Sequence, residues 1–275
     1  LVHSPWELTP DRSVVHRADV WAGDGDSVVP AIQSYVKRHG LPALPAMPGL
    51  SDYVSLASAG WLDSPLRNEG RFRHAVGNNF GVQPAMDAAW MLEWLANLTT
   101  DAPLRQRLLE TATSAAAAVA PGSEYFAHVG HLQQPTAGLV FDRYEATRIQ
   151  ARRQGRDLSQ AFDADGVARY RTPAQGIDYG RTQPSREASG LSALPVLNML
   201  RAAAYSGDRE LLDTALERLS RLSRFDGGVP RGAQTWEIAL HTPDILAAAH
   251  LVKAYVLAYR LTGDRAWLDR ARYWA

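Results

Sequence analysis

The sequence predicts an all-α chain of helical hairpins, with short β segments confined to the loops. Three observations carry this. First, Gly232 to Ala275 reads as one complete hairpin: a polar, aromatic loop, a long apolar helix, a Gly-Asp turn and an amphipathic helix. Second, the same punctuation occurs at Gly207-Asp208, 56 positions before Gly263-Asp264. Third, Thr100-Asp101 separates another apolar helix from a partner, 107 positions before Asp208 and close to two such periods. Repeats of this length, each an inner apolar helix plus an outer amphipathic one, are the signature of stacked hairpins.

Residues 1–26 read as an irregular lead-in, and 27–275 as one domain. Val14-Val15 to Val20-Trp21 suit a short strand. The GDGDS turn at 23–27 precedes a helix from about Val28 to Arg38, which Gly40 stops. Ser51 opens a short helix through Ala59, and residues 61–83 follow as a long polar connection. Helices at 85–98 and 103–119 form a hairpin, and 141–154 reads as a further helix. GVARYR at 166–171 alternates like a strand. Ser185 or Ser189 caps the next apolar helix, which ends near Tyr205, and Arg209–Arg221 is its amphipathic partner. In the last hairpin Thr242 is the expected cap, Pro243 fits the first helical position and Asp244 meets the helix dipole. Gly263 then supplies a left-handed stop and Asp264 the following cap.

Three long polar connections, near 61–83, 161–190 and 225–242, precede the inner helices, whereas the inner-to-outer turns are short. In a closed ring this gathers the long loops on one face, at the N-terminal ends of the inner helices. Helix N-termini around a cavity favour negative charge and hydrogen-bond acceptors.

Composition narrows the function. Basic and acidic residues number 29 each and no basic stripe occurs, which argues against a nucleic-acid partner. There is no run of 18 apolar residues, so no membrane span is expected. The N-terminus has no charged and apolar leader pattern, so any secretion signal has been removed or was never present. With no cysteine, disulfides and thiolate chemistry are excluded. The 8 Trp and 10 Tyr permit flat platforms for sugar rings.

The repeat, the TGDRAWLDRARYW ending and the DYG and TWE loop segments together resemble the six-hairpin (α/α) toroid glycosidases and their relatives. The resemblance covers roughly Asp26 onwards. It implies a ring of hairpins in which a pair of carboxylates acts as acid and base on an oligosaccharide or polysaccharide. Polysaccharide lyases and sugar epimerases share the ring. Six hairpins at this period need roughly 300 residues or more, so the ring is expected to be incomplete over the sequence shown. A secreted or periplasmic location is favoured over a cytoplasmic one. Nothing in the sequence sets the oligomeric state.

Glu237 stands between Trp236 and Ile238. Apolar and aromatic neighbours raise a carboxyl pKa, as a general acid requires; the alternative is a structural Glu paired with Arg231 or capping a nearby helix. Asp178, in GIDYGR, is the candidate general base, although Asp beside Gly is also common in plain turns. Trp236 and Tyr179 are candidate stacking platforms. His241, Arg181, Glu187, Asn79 and Asp244 are candidate substrate ligands, Asp244 with a strong competing role at the helix start. His250, mid-helix, reads as a core residue. DADG at 163–166 resembles the opening of a calcium loop but lacks the later ligands, so neither metal nor cofactor is expected. Alternatives to hydrolysis are a lyase or epimerase using His128, His241, Tyr179 and Asn79, and a non-catalytic glycan-binding helical module.

Overall fold

A computed structural model describes the chain except residues 1–8, 12, 14, 21, 24–28, 48, 75–79, 125–126, 131–136, 173, 176–177, 182–184, 234–239 and 241–242, and the side chains of Ser51 and Tyr179. Two compact units are present, Leu1–Pro48 and Gly49–Ala275. The first contains α1 (Val29–His39), which buries no side chain and ends at Gly40 in the left-handed region (φ 71°). The strand expected over 14–21 does not form among its described residues, 15–20. Those residues are exposed, so alternation there has no partner face to bury. Most of the GDGDS turn lies outside the described residues.

The second unit is mostly helical. It opens with α2 (Leu50–Asp63), followed by a small antiparallel hairpin of β1 (Arg67–Asn68) and β2 (Arg71–Phe72). Next come α3 (Met86–Leu98) and α4 (Ala102–Ala118), whose turn is capped by Asp101 accepting from the Leu104 N–H at 3.0 Å. The expected polar connection from 61 is therefore partly structured. α2 continues through Gly60 to Asp63, and Phe72, fully buried, meets Trp61 edge-on at 5.4 Å. Burying that aromatic pair against Met86, Leu92, Leu95 and Leu108 outweighs the polar character of the segment. Ala112, Ala115 and Ala116 form the small-residue face of α4 in this core.

Two further elements follow: α5 (Ala137–Val140) and α6 (Tyr144–Ser159). Glu124, with no exposed side-chain surface, lies 3.4 Å from Arg143 Nη1 and accepts from Thr147 Oγ1 at 3.1 Å. Burial of that carboxylate is tolerated because both partners are present.

The second core is built on α7 (Ser189–Ser206), α8 (Arg209–Arg221), α9 (Ile245–Thr262) and α10 (Arg265–Trp274). α7 packs against α6, α8 and α9, and α9 also against α10. Gly155 admits α7 closely to α6, since a Cβ there would meet Leu211 and Ala202 side chains. Gly207 and Gly263 adopt φ of 69° and 76°, and Asp208 and Asp264 cap the helices that follow. The inner helices α7 and α9 are apolar and the outer α8 and α10 amphipathic, as the repeat predicts. α9 is long and apolar enough to cross a membrane by length and composition. Here Ala247, Leu251, Ala254, Tyr255 and Ala258 are buried within the fold.

Candidate functional site: loops at the N-terminal ends of α7 and α9

α7 begins at Ala188 with no side-chain cap, contrary to the expected Ser185 or Ser189. Its first turn is satisfied by another loop instead. The Gly190 N–H donates to the Arg231 carbonyl at 2.8 Å, and the Arg231 N–H donates to Ser189 Oγ at 3.3 Å. An orphan helix N–H can donate to any well-placed carbonyl, and this one lies 41 positions along the chain.

Asp244, not Thr242, is the cap of α9, and Pro243 precedes the cap rather than opening the helix. Pro243 is drawn into extended pairing with Arg231. Asp244 Oδ1 accepts from the Ala247 N–H at 2.6 Å and Oδ2 from the Ala233 N–H at 2.9 Å. One buried carboxylate thus ties the helix start to the beginning of the 233–243 loop. Thr242 itself lies outside the described residues.

The far side of that loop is pinned by Leu240. It is fully buried, in the left-handed region (φ 74°), and packs with Tyr170, Ala188 and Leu191. A non-glycine residue holds such a conformation only where its surroundings fix it, and such residues cluster at functional loops.

Tyr170 and its neighbours carry the other loop. The Tyr170 N–H donates to the Arg186 carbonyl at 2.8 Å, and Arg169 bridges to Glu187. Among the described residues the expected strand at 166–171 is reduced to isolated bridges, Ala168 with Phe162 and Arg169 with Glu187. Between the bridged ends, Asp178 Oδ1 accepts from the Gly180 N–H at 3.0 Å and Oδ2 lies 3.8 Å from Arg181 Nε. Tyr179–Arg181 is a 3-10 turn, with the Arg181 side chain 84% exposed. Gly180 packs so closely that a Cβ there would sit 3.1 Å from Asp178 Oδ1 and 3.2 Å from the Tyr170 ring.

Glu187 is held between two guanidinium groups, Arg169 at 2.8 Å and Arg224 at 3.0 Å. Arg169 also pairs with Asp163 and Asp165. The hydrogen bond from Arg169 holds the Asp163 carboxyl below the usual range, aided by the Val167 and Asp165 N–H groups. DADG is therefore a turn closed by its own protein partners, with Gly166 left-handed. Among the described residues, no group of three or more His, Asp or Glu could hold a metal ion. Beside this network lies a cleft of about 260 Å³, lined in part by Ser189, Arg224, Asp226, Val229 and Arg231.

Glu237, Trp236, His241 and Asn79 lie outside the described residues, as does the side chain of Tyr179. The structure brings together the flanks of the loop holding Asp178 and the flanks of the loop holding Trp236 and Glu237. It turns Asp244 and Glu187 inward onto backbone amides and arginines respectively.

The sequence reads His250 as a core residue, and the structure half-buries it without satisfying its ring. Its Nδ1 is buried with no hydrogen-bond partner among the described residues. Burial holds its pKa below the ordinary histidine value, and Lys253 and Arg201 lower it further while Asp244 opposes them. Burial and the two cations favour the neutral form of the imidazole. The signal was present: His250 and Lys253 are polar breaks, one turn apart, in an otherwise apolar helix. Comparison with protein-family models, curated proteins and solved structures returns no match.

Proposed function

We propose that this protein is a carbohydrate-active enzyme, a glycoside hydrolase in which Glu237 is the general acid and Asp178 the general base. The hairpins α3/α4, α7/α8 and α9/α10 would be parts of an (α/α) toroid. The observation that supports this is the packing of Leu240 with Tyr170, Ala188 and Leu191, residues that flank the two carboxylate-bearing loops. Inverting and retaining hydrolysis both need two carboxyl groups within about 10 Å, flanking one glycosidic bond. Trp236, next to Glu237, would offer the sugar a stacking face. Glu237→Gln should abolish release of new reducing ends from the oligosaccharide substrate while leaving thermal unfolding nearly unchanged. Full activity in that variant, or its failure to fold, would overturn the assignment.

A second reading, a lyase, is favoured by His250. A neutral imidazole can abstract a proton beside a sugar carboxylate, and Arg201 and Lys253 would offset the carboxylate's charge. Unsaturated products that absorb in the ultraviolet, lost in His250→Gln, would select it over hydrolysis.

A further inference from the structure

The fixed charges of the two inner helices are all of one sign. α7 and α9 contain no Asp or Glu, yet they carry Arg201, Lys253 and Arg260. The outer helices α8 and α10 mix both signs. On α9, His250, Lys253, Leu257 and Arg260 recur at helical spacing and share a face. On α7, Arg201 and Tyr205 do the same. The two faces meet, because Arg201 and Tyr205 of α7 line one groove with Leu257 and Arg260 of α9. Among the described residues, Lys253 and Arg260 make no ion pair and are exposed. Arg201 Nη1 donates to Asn198 Oδ1 at 3.3 Å.

Toward the C-terminal ends of the same helices this track opens into a groove of about 450 Å³. Arg201 and Arg260 line it together with Leu139, Tyr144, Tyr205 and Leu257. Tyr144 and Tyr205 lie 5.3 Å apart between ring centroids, and Leu139 is 54% exposed. A cation near a helix C-terminus offsets the dipole. That accounts for Arg260 in the last turn, but not for Lys253 two turns earlier. Guanidinium groups with aromatic and aliphatic walls match a ligand with carboxylates on an otherwise apolar-faced ring.

We propose that this groove binds the uronate residues of an acidic oligosaccharide, an anionic subsite at the opposite ends of α7 and α9 from the catalytic loops. The assignment rests on the glycan-processing role proposed above and names its substrate class. Carboxylates would pair with Arg201 and Arg260, Lys253 would add charge midway along the track, and sugar faces would lie on Tyr144 and Leu257.

Calorimetric titration with a galacturonic acid trisaccharide, a neutral glucose trisaccharide and inorganic phosphate tests this. The acidic trisaccharide should bind at least about tenfold more tightly than the neutral one, with affinity that falls as salt is raised. Arg260→Gln combined with Lys253→Gln, both on exposed positions, should remove that preference and leave weak neutral binding unchanged. Equal affinity for the two trisaccharides, or an unaltered preference in the double variant, would overturn the subsite. So would phosphate displacing the acidic trisaccharide at equal concentration, which would mark a general anion site. Acidic binding that depends on Arg260 and Lys253, without turnover of any glycan, would leave this subsite standing and remove the hydrolase assignment.

Discussion

Gly190→Ala should destabilise the protein by about 3 kcal/mol, the sum of overpacking and a lost hydrogen bond. A Cβ at this position would lie 2.8 Å from the Arg231 oxygen and the Gly232 carbon, and closer still to the Ala233 nitrogen. All three obstacles are backbone, so no rotamer change relieves them. The 231–233 segment must move away from α7, which breaks the bond from the Gly190 N–H to the Arg231 carbonyl. Because Asp244 grips Ala233, the displacement passes to the loop carrying Glu237. The melting temperature should fall by roughly 6–12 °C and activity should fall with it. Gly60→Ala is the control. It lies inside α2 with nothing within 4 Å of its Cβ, so it should be neutral or slightly stabilising. An unchanged melting temperature for Gly190→Ala would show that the loop does not sit against α7.

Asp208→Ala should cost a similar amount, about 3 kcal/mol, from a lost helix cap and lost charged hydrogen bonds. The carboxylate is 3% exposed. It accepts from the Leu211 N–H at 3.2 Å, Arg152 Nε at 2.8 Å and Arg156 Nε at 3.0 Å. Asp208→Asn should lie between, since an amide keeps the cap but loses the charge. The pH dependence follows from the same partners. Burial pushes the Asp208 carboxyl up, but the Leu211 N–H, Arg156 and Arg152 outweigh it and hold the pKa below the usual aspartate value. A folded pKa below the unfolded one gives stabilisation that is complete above about pH 4 and is lost as pH falls through the folded value. Denaturant midpoints of wild type and Asp208→Asn should therefore differ at pH 7 and converge on acidification. A difference that persists unchanged in acid would show that the ion pairs contribute nothing.

The elements legible in the sequence are those fixed by local chemistry. Gly207-Asp208 and Gly263-Asp264 end one helix and cap the next with groups adjacent in the chain, so spacing alone finds them. The cap of α7 was not legible, because its acceptor is the Arg231 carbonyl rather than a neighbouring Ser. Asp244 was the right residue type in the wrong register: pairing of Pro243 with Arg231 holds the proline in the lead-in to the helix. The β1–β2 hairpin was missed for another reason. It turns through Glu69, left-handed without being Gly or Asn, so the usual hairpin signal is missing. In the candidate site, two long loops before the inner helices were legible from their polarity. Their attachment through Tyr170 and Leu240 was not, since it joins residues 70 positions apart. Glu187 has the composition of a ligand, but its two arginine partners come from separate segments that only the fold brings together.

The central claim is that Asp178 and Glu237 flank one glycosidic bond. A crystal structure of Glu237→Gln with a bound oligosaccharide tests it most directly. The expected result is a sugar stacked on Trp236, with the side chains at 178 and 237 within about 10 Å of each other on either side of the bridging oxygen. An oligosaccharide bound away from these loops, or the two side chains separated well beyond that span, would contradict it.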